Sequence, residues 1–137
     1  MRSAATVRVS ANNLKKMGEA VTIKRFETGP RMSQAVVHGD TVYLAGQVAQ
    51  NAPGKSVAEQ TRDILEAIDK LLAGAGSDKS KLLSAQIFLS DISTFNEMNK
   101  VWEAWVSPGN TPARATTEAK LAAPQYTVEI MVVAARS

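Results

Sequence analysis

The chain has 137 residues, 45% of them hydrophobic and 21% charged, with one histidine and no cysteine; this is one ordinary globular domain with enough material for a core. Those counts exclude disulfides, a thiol nucleophile and thiolate or multi-histidine metal sites, and His38 alone argues against a serine-histidine relay. The formal charge of +3 is concentrated at the start: residues 1–16 hold Arg2, Arg8, Lys15 and Lys16 without an acid, and removing that +4 leaves −1 for residues 17–137. The remainder therefore has no net basic excess to attract nucleic acid, and no apolar run approaches the roughly 20 residues that span a bilayer.

The opening Met1–Ser10 is basic, rich in serine and alanine and free of acids, like a transit peptide. A disordered tail, or an upstream start with Met17 as the working one, is the favoured account. Residues 1–16 are expected to be a disordered extension and 17–137 a single domain. A cytoplasmic location is expected, with organellar import through the extension left open.

Val21–Phe26 reads as a short strand, ended by a turn at Gly29-Pro30. Ala35–His38 and Thr41–Ala45 form a hairpin about Gly39-Asp40, with His38 at its surface turn. Asn51–Gly54 is a loop, and Ser56-Val-Ala-Glu59 is a capping box. Val57, Thr61, Ile64, Leu65, Ile68, Leu71 and Leu72 then make an apolar helical stripe, which Gly74 and Gly76 end. Lys81–Ser90 carries apolar residues at both parities, the pattern of a strand buried on both faces. A second helix is expected from about Thr94, capped in the Thr94-x-x-Glu97 pattern and stopped by Pro108-Gly109. Its Phe95, Met98, Val101, Trp102, Trp105 and Val106 fall at core-packing spacing, which argues against a ligand-stacking surface.

Chemistry concentrates in Asn110–Leu121 and Tyr126–Ala135. Alternation in the first puts Ala113, Ala115, Thr117 and Ala119 on a small, packable face and Arg114, Thr116, Glu118 and Lys120 on the other. In the second, Glu129 interrupts an apolar run, so its carboxylate must be paired, hydrogen-bonded or held neutral. The expectation is that neighbouring strands offer a permanent cation and a carboxylate. Arg114 is then either a ligand anchor or half of an ion pair with Glu118 or Glu129.

The order is β-β-β-α-β-α-β-β, an α+β mixed sheet whose right-handed crossovers put two helices on one face. The opposite face carries apolar side chains that a partner subunit would cover.

Pro112-Ala113-Arg114, Val128-Glu129-Ile130, Gly29-Pro30 and Ala45-Gly46-Gln47 resemble, in order and spacing, the signatures of the Rid (YjgF) family of imine/enamine deaminases. The resemblance runs from about Val21 to Arg136, and each motif alone is short. It implies a chorismate-mutase-like fold and a homotrimer with ligand sites between subunits. It also implies cofactor-free hydrolysis of a 2-aminoacrylate-like imine to a 2-keto acid and ammonia. On this resemblance Arg114 anchors the substrate carboxylate and Glu129 orients or activates the attacking water. Asn99 matches a polar residue lining the cleft, although its place beside Met98 equally suits a solvated position. Gly29, Pro30, Gly46 and Gln47 match pocket-shaping backbone. Three positions depart from the best-known members: Arg31-Met32-Ser33 where an aromatic is usual, Ala45 for serine and Thr116 for cysteine. The anchor and the acid survive while the pocket wall changes, as in a sister subgroup. Arg31, Ala45, Gly46, Gln47, Asn99, Arg114 and Thr116 are the expected substrate contacts. A non-catalytic binder of small carboxylates is the rival reading, and a ribonuclease or translation inhibitor a more distant one.

Overall fold

The computed structural model describes Ser10 and residues 21–136; the extension expected over 1–16, with Met17 behind it, lies outside the described residues apart from Ser10. Strands β1 (Ile23–Thr28), β2 (Ser33–His38) and β3 (Thr41–Leu44) form an antiparallel meander, continued by the two-residue β4 (Gln47–Val48). Helix α1 (Val57–Gly74) crosses to β5 (Leu82–Leu89), and helix α2 (Phe95–Trp105) crosses to β6 (Ala113–Glu118) before β7 (Val128–Ala135) closes the chain. The expected order holds with β4 added.

The sheet runs β1-β2-β3-β7-β5-β6, with β4 on β7; β5 and β6 are parallel and the other pairs antiparallel. The last strand thus inserts between the meander and the crossover strands. β6 and β7 are not neighbours as expected, because β5 lies between them. The core fills one side, where Ile64, Ile68 and Leu72 of α1 and Met98 of α2 meet Val42, Ile87, Ile130 and Ala134 of the sheet. Among the described residues no helix is long and apolar enough to cross a membrane.

The caps show where local signals sufficed. Ser56 Oγ accepts from the Glu59 N–H at 3.1 Å, and α1 ends with Gly76 at φ +82°, its N–H on the Ala73 carbonyl and that of Ser77 on the Leu72 carbonyl. At α2 the expected capping box does not form. Thr94 makes no side-chain cap and donates instead to the Asp91 carbonyl, while Glu97 Oε2 accepts from the Ala58 N–H of α1 at 2.8 Å. Glu97 lies in the first turn of its own helix but caps the neighbouring one.

The expectation that β5 is buried on both faces fails in this chain: Leu83, Ser84 and Gln86 are exposed. The register against β7 shifts between Leu82 and Ser84, so Leu83 is an extra residue that breaks the parity. A second irregularity matters more. Tyr43 pairs with Val133 and Gln47 with Ile130, so four steps along β3 and β4 span three along β7. The extra residue inverts the alternation, turning Gln47 to the helix side and leaving Gly46 on the other.

Candidate active site

Arg114 sits on β6 opposite Ala85 of β5, with Thr116 opposite Ile87. Ala85 and Ile87 belong to the core, so Arg114 and Thr116 lie on the helix-bearing side. The face carrying Ala113, Ala115 and Thr117, expected to pack, is the exposed one. The reason is the register with β5: it is the residues opposite β5's buried positions that go under α2.

On that side Arg114 Nη1 donates to Asn99 Oδ1 of α2 at 2.7 Å. The guanidinium carbon lies 5.7 Å from the Phe95 ring centroid and 5.5 Å from that of Trp102, both within cation-π range. Burial lowers the Arg114 pKa from the usual arginine value, opposed by the more distant Glu103 charge. The group remains cationic at neutral pH, since arginine starts so high. Among the described residues no carboxylate forms an ion pair with it. Glu118, one expected partner, accepts instead from the Ile92 N–H at 3.0 Å. Thr116 Oγ1, on the same strand face, is buried without a hydrogen-bond partner.

Glu129, the other expected partner, lies opposite Phe88 and Val48. It alternates with the fully buried Val128 and Ile130, which places it on the helix-free side of the sheet, across from Arg114's side. Gly46 stands against it: a Cβ built on Gly46 would be 2.8 Å from Glu129 Oε2. Ala45 donates its N–H to the Gln34 carbonyl at 2.9 Å, and Arg31 is exposed in the turn closed by the Gly29 N–H on the Met32 carbonyl. Gln47 is 9% exposed and spends both amide hydrogens internally, on Gln34 Oε1 at 2.9 Å and the Ala45 carbonyl at 3.0 Å.

The expected site residues therefore separate into two groups within the chain. Arg114 and Asn99 meet under α2 with Thr116 on the same strand face, Gly46 and Glu129 meet on the opposite sheet face, and the Gln47 side chain belongs to neither. Phe95 and Trp102, expected only at core-packing positions, also flank the arginine; Phe95, Asn99 and Trp102 stand at i, i+4 and i+7 on α2, the spacing that ties them to it. Gln60 carries no motif signal in the sequence. It is 0% exposed and joins the loops before α1 and β7, donating to the Lys55 and Gln125 carbonyls and accepting from the Thr127 N–H. Among the described residues no cluster of three histidine, aspartate or glutamate side chains is placed to hold a metal ion.

Residues 22–136 match the family model described as endoribonuclease L-PSP. The chain is 44% identical to a RutC family protein of Haemophilus influenzae, over 83% of this chain and 98% of that one. It is also 44% identical to the RutC family protein YoaB of Escherichia coli, over 84% and 99%. Among solved structures, a YjgF family member from Neisseria meningitidis superposes with a TM-score of 0.82 at 46% identity, covering 85% of this chain and 97% of the other. With that match running through nearly every described residue, and with the sheet order and paired helices in place, the chain belongs to the endoribonuclease L-PSP family, the YjgF/Rid group.

Proposed function

We propose that the protein hydrolyses a small reactive imine or enamine bearing a carboxylate, of the 2-aminoacrylate type. The observation that carries this reading is Arg114: a half-buried guanidinium, oriented by Asn99 and two aromatic rings, with no carboxylate of its own. A planar fork of N–H donors in a partly dry cleft is a receptor for a carboxylate. The enamine first tautomerises to its imine. Water then adds to the imine carbon, and the resulting carbinolamine expels ammonia to leave the 2-keto acid. Glu129 takes a proton from the water and returns it to the departing nitrogen. The imine carbon is electrophilic already, so the reaction needs no cofactor.

Arg114 and Glu129 lie on opposite sides of one sheet, so a single protomer does not assemble this pair. The reading therefore includes a homotrimer in which the arginine group of one subunit faces the Gly46–Glu129 group of the next. Tyr43 and Met131, 48% and 39% exposed on the helix-free side, support such an assembly, because apolar sheet left open on a monomer is unfavourable. A groove of about 350 Å³ crosses the same side between Gln86, Ala115 and Met131.

Binding of carboxylates without turnover is the second reading, favoured by that same separation of the two groups. Ammonia and keto-acid release from an enamine generated in the assay separates the two: product above the uncatalysed rate supports the hydrolase, while binding of 2-oxobutyrate without product supports the binder. The family description names a ribonuclease, but −1 over residues 17–137 and one histidine in a hairpin turn disfavour RNA as substrate. A salt-sensitive RNA-binding assay checks that point.

A further inference from the structure

Arg114 is oriented by a neutral group where an acidic one would fit. The residue that receives its Nη1 hydrogen is an asparagine, at 2.7 Å. Among the described residues no carboxylate pairs with the guanidinium: Glu103 acts on it only through its charge, without an ion-pair contact, and Glu118 is held by the Ile92 N–H. The Phe95 and Trp102 rings add attraction through their faces without carrying charge. Every contact that positions this cation is therefore electrically neutral.

We infer that Asn99 is a positioning residue whose neutrality is its function: it orients Arg114 while leaving the full positive charge, and the donors it does not use, to a ligand carboxylate. The inference rests on the reading of Arg114 as the carboxylate anchor. Guanidinium has five N–H donors, and the amide oxygen of Asn99 is a single acceptor that engages Nη1. An aspartate there would keep the geometry, shorten and strengthen the contact and occupy the fork with a permanent anion. The ligand would then face a neutral pair, and its own carboxylate would be repelled across a partly desolvated site. Trp102, buried at 5% exposure, and Phe95, 37% exposed, both lie against the guanidinium.

The test compares Asn99→Asp, Asn99→Ala and Arg114→Ala in the full chain, measuring 2-oxobutyrate affinity by calorimetry and stability by thermal melting. The expected order is unusual, because binding and stability separate. Asn99→Asp should melt at or above the wild-type temperature yet bind about tenfold to a hundredfold more weakly, the loss of one charge-assisted contact. Asn99→Ala, which loosens the arginine but leaves its charge, should bind better than Asn99→Asp and melt lower. A merely structural asparagine would not make the more stable variant the weaker binder. If Asn99→Asp binds as well as Asn99→Ala while Arg114→Ala abolishes binding, the inference fails and the anchor stands. If Arg114→Ala binds like the wild type, the anchor reading fails and the inference falls with it.

Discussion

Gly46 and Glu129 touch across two strands: a Cβ on Gly46 would sit 2.8 Å from Glu129 Oε2, 3.0 Å from its Cδ and 3.3 Å from its Cγ. The glycine is there for room, not for backbone freedom, since it is not among the positive-φ glycines. The extra residue between β3 and β4 brings it to that place. A bulge beside a functional side chain is a recurrent way to aim one.

Gly46→Ala should therefore move the carboxylate and leave the fold nearly intact. The atoms in the way are the far end of a flexible side chain, so the expected stability loss is on the order of 1 kcal/mol. Turnover of a freshly generated enamine should fall while 2-oxobutyrate affinity, which the proposal assigns to Arg114, changes little. A full loss of folded protein, or unchanged turnover, would show that the glycine serves only the backbone.

Arg114→Lys keeps the charge and removes the fork. Loss of a charge-assisted hydrogen bond of about 1.5–3 kcal/mol should lower kcat/KM roughly tenfold to a hundredfold. Glu129→Gln should lower kcat more than it weakens keto-acid binding, because its proposed part is proton transfer. Steady-state kinetics beside calorimetry distinguish the two patterns.

Met131→Asp places a charge on the helix-free side, on the face of β7 that also carries Glu129 two residues away. We expect it to dissociate the assembly, and with it turnover, because the two groups would no longer face one another. Sedimentation of the wild type should give a trimer and of the variant a monomer. A fully active monomer would place the whole site within one chain.

Gln60→Leu should be the costliest conservative-looking substitution in α1. It leaves the Lys55 carbonyl and the Thr127 N–H without their side-chain partner and removes one of the two donors to the Gln125 carbonyl, which keeps the Gly54 N–H, at about 2–4 kcal/mol. Urea denaturation would read this directly. Glu97→Ala should cost less, about 1 kcal/mol, by uncapping α1 at the Ala58 N–H.

The elements whose signals are short-range were readable from residues alone. Ser56 with Glu59, the stripe from Val57 to Leu72, and Gly76 beyond it dictate α1 through capping and a 3.6-residue period, all within one helix. For Arg114 the residues alone suit an ion pair with Glu118 or Glu129 as well as a ligand anchor, and it is the resemblance carried by Pro112-Ala113-Arg114 that favours the anchor. Faces and partners were another matter. Strand alternation separates two sets of residues but does not say which set faces the helices, and a one-residue slip exchanges them. The register of β6 on β5 decided that Arg114 goes under α2; the extra residue before Gln47 decided that this glutamine turns inward while Gly46 meets Glu129. Insertion of β7 between β3 and β5 separated two side chains that sequence order had made neighbours. Glu97 and Gln60 follow the same logic. Each satisfies backbone groups 39 and 65 to 67 residues away in sequence as well as, for Gln60, one 5 residues away, and such pairings exist only once the helices and loops have packed.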